Sequence, residues 1–424
     1  MLLKYGTNLS VAAALGGGLV IICLWPELAN VSVILAQVLA VGVCLLTGSR
    51  RDFLRPSALM PLVAGLLLVV AFGITATSLL HVAMVLVFTP LFLIAPLVTV
   101  MRQSSFRIGP GAIGALATAG AGLAMLVAIY DSMVLHSPRA GGIVANPIHF
   151  ADVTVALGFL SLLGLFGERK WKWVAVAGAT FALIAIALSG TRGAMVAVLT
   201  VAVLACLLAA VSGWLNRRSL LALCVVAVAG GGAVGLALQS NWSPAVRIAA
   251  TLSSIAETGA TSDSSDDQRL LMYRGAYNAF LQSPFYGHGM IGFAKVAADT
   301  LPPELNAPVY DHLHSDIADF AVTGGFLGII AYFCILLAPI VEAVRSSGPG
   351  RVPAIFAACT LSASYFCMGL TNATFGILML TVTFAVATAA IAHLARLPAR
   401  DLSQAPDVLN TPRSPHRLAD APIA

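Results

Sequence analysis

The chain reads as a series of apolar runs, each near the length of a bilayer-crossing helix and separated by polar breaks. About 20 mostly apolar residues are enough, because a helix satisfies every backbone N–H and C=O within the segment. Twelve such runs are present: Leu9 to Trp25, Val31 to Leu46, Ala58 to Ile74, Val82 to Met101, Ala112 to Ile129, Phe150 to Phe166, Val174 to Leu188, Ala194 to Leu215, Leu220 to Leu238, Asp319 to Val344, Val352 to Leu370 and Phe375 to Leu394. Most connections are short, which suits antiparallel neighbours. Two are long, Tyr130 to Asn146 and Gln239 to Ala318. In the second, Ser243 to Thr258 has helical apolar spacing. There too, Ser264-Ser265-Asp266-Asp267 caps a predicted helix from Gln268 to about Gln282, which Pro284 and the Gly287-His288-Gly289 turn end. The predicted fold is all-α: a polytopic membrane protein of about 12 transmembrane helices, with a large, partly helical loop (239–318) between helices 9 and 10. Residues 1–395 form the membrane domain, and 396–424, rich in Pro, Ala and Arg without periodicity, form a disordered tail.

Composition removes the alternatives. Of 424 residues only 10% are charged, against about 25% in soluble proteins, and 59% are hydrophobic. A soluble globular protein and a disordered chain are both excluded. All seven cysteines fall inside apolar runs, which argues against a disulfide or zinc framework in the loops. The first run has the length of a signal-peptide core, but no A-x-A-like site before a soluble domain follows it, so a retained anchor is expected. No internal repeat stands out, and loop lengths differ between the two halves, which weakens an inverted-repeat transporter.

Lys and Arg orient the runs, since cytoplasmic connections retain them. With the amino terminus inside, the inner segments hold 17 of the 23 basic residues: Lys4, Arg50, Arg51, Arg55, Arg102, Arg107, Arg169, Lys170, Lys172, Arg217, Arg218, Arg345, Arg351, Arg396, Arg400, Arg413 and Arg417. Arg139, Arg192, Arg247, Arg269, Arg274 and Lys295 remain outside. Both termini are thus expected in the cytoplasm. The net charge of +5 becomes a topological signal and calls for no nucleic-acid partner.

The six outer basic residues need reasons of their own. Arg192 sits in the tight connection Ser189-Gly190-Thr191-Arg192-Gly193, so its guanidinium lies near the outer interface. It either snorkels to headgroups or forms a clamp for a phosphorylated lipid, whose oxygens match the planar fork of Arg. Arg269 and Arg274 are five residues apart on one predicted helix, about 140° around its axis, so only one can face a given ligand. Arg139, in Ser137-Pro138-Arg139-Ala140-Gly141-Gly142, is a further candidate for phosphate or acceptor contact.

Asp311-His312-Leu313-His314-Ser315-Asp316 precedes the tenth run. It admits three readings: metal ligands, a structural capping or packing motif, and a general base at His314, whose ordinary pKa of about 6.5 suits proton removal near neutrality. No further cluster supplies the remaining metal ligands. If a helix begins near His314, Gly325 and Gly328 fall about +20° and −40° from it, on one face. Such glycines either line a groove for a lipid tail or pack helices closely.

Taken together, these segments resemble the bacterial O-antigen ligase family of membrane glycosyltransferases, across the whole predicted topology. His314-Ser315, nine residues, Gly325, two residues and Gly328 match the ligase signature of His, then Asn, Ser or Gln, with the same glycine spacing. Arg269, Tyr273, Pro284, Gly287 and Gly289 match the group's Arg, aromatic, Pro-x-x-Gly-x-Gly spacing, and Ser189 to Gly193 resembles its Ser-x-[ST]-Arg-Gly connection. Tyr273 stands where Trp is usual and Ser315 where Asn is commoner, while Arg274 has no counterpart.

The resemblance implies transfer of O-antigen polysaccharide from undecaprenyl diphosphate to a lipid A–core sugar hydroxyl, at the periplasmic face of the bacterial inner membrane and without metal or other cofactor. It implies His314 as base and Arg192 and Arg269 as diphosphate ligands. Arg139, Thr191, Tyr273, Arg274, His312, Ser315, Gly325 and Gly328 are the candidate substrate contacts. Beside lipid-linked O-antigen and lipid A–core, only membrane lipids are expected partners. An O-antigen polymerase or a protein O-oligosaccharyltransferase using the same donor is the nearest rival, and a twelve-span transporter the more distant one.

Overall fold

A computed structural model describes residues 2–211 and 264–397, and all regular structure among them is helical. We number thirteen helices. These are α1 (Leu2–Leu15, prolonged by a π-helical turn Gly16–Ile21), α2 (Pro26–Thr47), α3 (Pro56–Thr75), α4 (Leu79–Gln103), α5 (Pro110–Met133), α6 (Pro147–Phe166), α7 (Arg169–Ser189), α8 (Arg192–Val211), α9 (Ser264–Gln282), α10 (Phe293–Asp299), α11 (Asp316–Arg345), α12 (Arg351–Gly369) and α13 (Leu378–Leu394). Eleven of the twelve predicted runs coincide with α1–α8 and α11–α13. The ninth run, Ser243 to Thr258, Arg247 and the tail beyond 397 lie outside the described residues. Nine of the described helices are long and apolar enough to cross a membrane. The chain is a polytopic helical membrane protein.

Apolar pattern decides which helix goes to the centre. In α13 every residue from Met379 to Leu394 is buried, as expected of a helix with no polar face. It is enclosed by α2, α4, α6, α11 and α12. Around it, α11 lies along α3, α5 packs between α6 and α7, and α8 runs beside α12.

The connections meet in two groups, and the groups follow the basic-residue bias. At the basic-rich end, the buried Asp52 carboxylate binds Arg55 Nε at 2.6 Å and Arg102 at 2.7 Å, and accepts the Thr99 hydroxyl at 2.9 Å. Arg396 reaches from the end of α13 to Asp52, at 3.6 Å, and to Glu342 of α11, which also accepts from Ser57. At the other end, bonds join the α5–α6, α7–α8 and α12–α13 connections and the segment before α11.

Two sequence expectations change. The chain is already helical at Ser264, so Ser264-Ser265-Asp266-Asp267 forms the first turn of α9 and does not precede it as a cap. The shared face of His314, Gly325 and Gly328 does not exist. His314 lies ahead of α11 with φ +54°, Ser315 is the N-cap residue, and α11 is broken at Gly325 (φ 59°, ψ −144°). Counting 100° per residue presumes a continuous helix, and a left-handed glycine resets the phase.

The break has a definite cause. In an unbroken helix the N–H groups of Phe326 and Leu327 would bond to the carbonyls of Val322 and Thr323. Here they donate instead to Pro284 O (2.7 Å) and Phe285 O (3.3 Å), and the two freed carbonyls accept from the N–H groups of His288 (2.8 Å) and Gly289 (2.9 Å). The Pro284–Gly289 loop is thereby stitched into the opened turn. A Cβ on Gly325 would stand 2.5 Å from Pro284 O, and one on Gly287 would stand 2.5 Å from Gly324 N. On Gly328 it would run into the Phe320 carbonyl. These glycines admit backbone, and neither Gly325 nor Gly328 lines a groove for a lipid tail.

Gly325→Ala is therefore expected to destabilise the protein by about 3 kcal/mol, from left-handed strain plus overpacking, read as a lower unfolding temperature in detergent. An exposed glycine with empty space around it, such as Gly73 of α3, should accept alanine without loss.

Candidate active site

The segment that carries His314 is held in an unusual conformation. A non-glycine residue at φ +54° costs about 1–2 kcal/mol, so its surroundings must hold it. They do so on both sides of the residue. Its backbone N–H donates to His312 Nδ1 (3.2 Å), and its carbonyl accepts from the Tyr273 hydroxyl (3.0 Å). One residue earlier, Leu313 N–H donates to Asp319 Oδ1 (2.7 Å). Because His312 Nδ1 accepts, neutral His312 carries its proton on Nε2.

His314 opens into a cavity of about 370 Å³ at the basic-poor end. Arg139 comes from the α5–α6 connection, and Asn146 and Ile148 from the start of α6. Gln268, Arg269 and Met272 come from α9, and Tyr310, Asp311 and His312 from the strap before α11. The His312 and His314 rings stand nearly perpendicular with centroids 4.3 Å apart, and His149 approaches His312 at 6.5 Å. His314 Nδ1 is buried without a hydrogen-bond partner among the described residues, which leaves Nε2 as the nitrogen available to a ligand in the cavity. Burial pushes the His314 pKa down to about 4, helped by His312, the Arg269 guanidinium and His149. Burial lowers His312 as well. At neutral pH both rings are therefore uncharged, and His314 presents an unprotonated imidazole beside cations.

The arginines do not all converge. Arg139 and Arg269 line the cavity, and Arg139 is oriented by Ser189 O (3.3 Å) and Thr191 Oγ1 (3.1 Å). Thr191 Oγ1 in turn donates to Pro147 O (3.3 Å). Arg192 is the first residue of α8 and is not among the lining residues. Its neighbour Gly193 packs against the α12–α13 connection, where a Cβ would stand 2.5 Å from Thr371 Oγ1. Arg274 is exposed and does not line the cavity, whereas Arg269, five residues earlier on the same helix, does. Ser315 is buried at the N-cap position and makes no side-chain cap bond.

The α12–α13 connection closes a circuit through the site. Tyr273 OH bonds to Leu370 O (3.1 Å) as well as to His314 O. Four residues on from Leu370, Thr374 donates its N–H (2.7 Å) and its hydroxyl to Asp316, and Phe375 N–H also donates to it (3.2 Å). Asp316 is two residues from His314 and 1% exposed. The ring runs from His314 through Tyr273, Leu370, Thr374 and Asp316 back to His314, with Arg269 one helical turn before Tyr273.

Sequence reasoning missed Asp316, Tyr310, Gln268 and Asn146. Asp316 and Tyr310 flank the Asp-His-Leu-His segment and could have been found as its neighbours, whereas Gln268 and Asn146 carry no signal of their own. Among the described residues no group of three or more His, Cys, Asp or Glu side chains is placed to hold a metal ion.

Residues 177–333 match the family model described as O-antigen ligase. This stretch takes in Arg192, all of α9, the His314 segment and the break at Gly325. No curated protein matches the chain.

The circuit predicts a contrast between two variants. Asp316→Asn keeps an oxygen for the N–H groups of Thr374 and Phe375 and should unfold near the wild-type temperature. Asp316→Ala leaves buried donors unpaired and should lose about 3 kcal/mol, measured by thermal unfolding in detergent.

Proposed function

We propose that this chain, whose residues 177–333 match the family model described as O-antigen ligase, transfers O-antigen polysaccharide from undecaprenyl diphosphate to a sugar hydroxyl of lipid A–core, at the periplasmic face of the inner membrane. Proteins of this family act on lipid-linked polysaccharides in membranes. The observation that carries the reading is the shared cavity of Arg139, Arg269 and an uncharged His314. Cations suit a diphosphate, and a neutral imidazole suits an acceptor hydroxyl.

In this reading His314 Nε2 takes the hydroxyl proton as the acceptor oxygen bonds to the anomeric carbon. The bond from that carbon to the phosphate oxygen breaks, its electron pair leaves with undecaprenyl diphosphate, and the configuration inverts. Arg269 and Arg139 hold the diphosphate and stabilise the charge it gains, an electrostatic role that often supplies the largest catalytic contribution. Arg192, at the positive end of α8, lies outside the cavity lining and adds its charge at that end of the helix. Tyr273 and His312 hold the His314 backbone, and Thr191 holds Arg139. Arg274 and Ser315 have no part in the bond-making step.

The test is transfer by purified protein in vesicles, with lipid-linked O-antigen as donor and lipid A–core as acceptor, read as a polysaccharide ladder on a gel. Wild type should build the full-length ladder, and addition of a chelator should leave it unchanged. Products bearing a single added repeat would indicate a polymerase. His314→Ala should lower the rate by about 10²–10⁴. Arg269→Lys should lose most activity, because a point charge does not replace a bidentate fork.

The pH dependence follows from the depressed His314 pKa. The imidazole is unprotonated above about 4, so kcat/KM should hold through pH 5–6 and fall only as pH approaches about 4. Between about 4 and the ordinary value of 6.5, the unfolded chain binds the proton and the folded one does not. The contribution of His314 to stability is therefore complete above about 6.5 and declines as pH drops through that window. A kinetic limb centred near 6.5 would remove His314 from the role of base.

A further inference from the structure

Part of the cavity lining has a chemistry that the diphosphate does not use. Arg139 and Arg269 supply the cationic side, while Asp311, Gln268 and Tyr310 supply a wall of carboxylate, amide and phenol. A carboxylate repels a diphosphate but accepts hydrogen bonds from hydroxyl groups, so the two walls suit different halves of the reaction. Tyr310 is 45% exposed, yet its ring is fixed at two points. Its hydroxyl donates to Gln268 Oε1 at 3.1 Å, and the ring stands at 77° to the His314 imidazole with centroids 5.7 Å apart. An exposed aromatic ring that is already oriented offers apolar contact area at little entropic cost. The C–H face of a sugar ring is the ligand surface that fits such a platform, with its hydroxyls turned to the neighbouring carboxylate and amide.

We infer that Tyr310, Gln268 and Asp311 form the subsite for the acceptor sugar of lipid A–core, with the pyranose ring stacked on Tyr310 and its nucleophilic hydroxyl directed to His314. The inference rests on the proposed transfer reaction and assigns the half of the site that the arginines leave open. In that step the hydroxyl proton passes to the His314 imidazole, the new bond joins the acceptor oxygen to the anomeric carbon, and the diphosphate leaves with the electron pair. Asp311 and Gln268 hold the sugar's remaining hydroxyls and take no proton.

The experiment measures donor and acceptor KM separately for wild type, Tyr310→Ala and Tyr310→Phe in the vesicle assay, using purified lipid A–core and lipid-linked O-antigen. Tyr310→Ala should raise the acceptor KM by about tenfold and leave the donor KM within about twofold, while Tyr310→Phe, which keeps the ring, should stay within about threefold of wild type. Binding of inorganic pyrophosphate to Tyr310→Ala at wild-type affinity shows that the arginine wall is intact. An unchanged acceptor KM in Tyr310→Ala, an equal rise in both KM values, or loss of pyrophosphate binding overturns the acceptor subsite and leaves the proposed transfer standing. A wild-type protein that transfers nothing overturns both.

Discussion

A backbone that enters a membrane protein must find a partner for every N–H and C=O, and the site of this protein depends on how that demand is met at Gly325. Opening α11 there gives up two helical bonds, and the Pro284–Gly289 loop replaces them with four. The exchange is possible only because Gly325 and Gly287 bring no side chain to the crossing, where a Cβ would meet backbone at 2.5 Å on either strand. The loop is the end of α9, so the stitched turn fixes α9 against α11. Arg269 and Tyr273 are carried by the one helix, and His314 precedes the other. At about 1.5 Å per residue, the 20 residues after the break suffice for the hydrocarbon core, and the nine before it rise above that length towards the cavity.

Fixing α9 would not by itself hold His314 in a left-handed conformation. That requires the circuit through Tyr273, Leu370, Thr374 and Asp316, in which each member bonds to backbone. Tyr273 accordingly supports His314 through its hydroxyl and not through its ring face. The same connection, 370–377, meets Gly193 beside Arg192. A single turn between α12 and α13 thus touches the supports of the histidine and the residue next to Arg192, although it carries none of the candidate chemistry itself.

How far the sequence revealed this differed from residue to residue. Helix positions were legible because hydrocarbon tolerates few patterns, and even α13, at 17 residues, stood out as an apolar run. Arg139, Arg192 and Arg269 stood out because they are among the six basic residues that break the charge bias of the other 17. The roles of Gly325 and Gly328 were misjudged because an ideal helix was assumed through them, and no local pattern announces a left-handed residue within an apolar run. Tyr310 and Gln268 were invisible for another reason. Polar residues in a long connection are ordinary, and only the fold brings these two within 3.1 Å of each other beside a histidine.

The two ends of the protein use arginine in opposite ways, and the difference follows from what is buried. At the basic-rich end, the Asp52 and Glu342 carboxylates are 3% and 2% exposed and are met by Arg55, Arg102 and Arg396, so charge is consumed inside the protein. At the other end, Arg139 donates to the Ser189 carbonyl and the Thr191 hydroxyl and lines the cavity together with Arg269. Of the acids there, Asp316 accepts from Thr374 and Phe375, Asp319 from Leu313, and Asp152 from Asn372 at 2.7 Å, while Asp311 lines the cavity itself. The cavity thus sets two guanidinium groups and a carboxylate around an imidazole that is uncharged at neutral pH. Burial is the main cause of the depressed His314 pKa and the Arg269 guanidinium adds to it, a share that an anion seated against the arginines would relieve. Anion and proton affinity are coupled in this geometry, so the His314 imidazole is more basic with an anion beside Arg269 than without one.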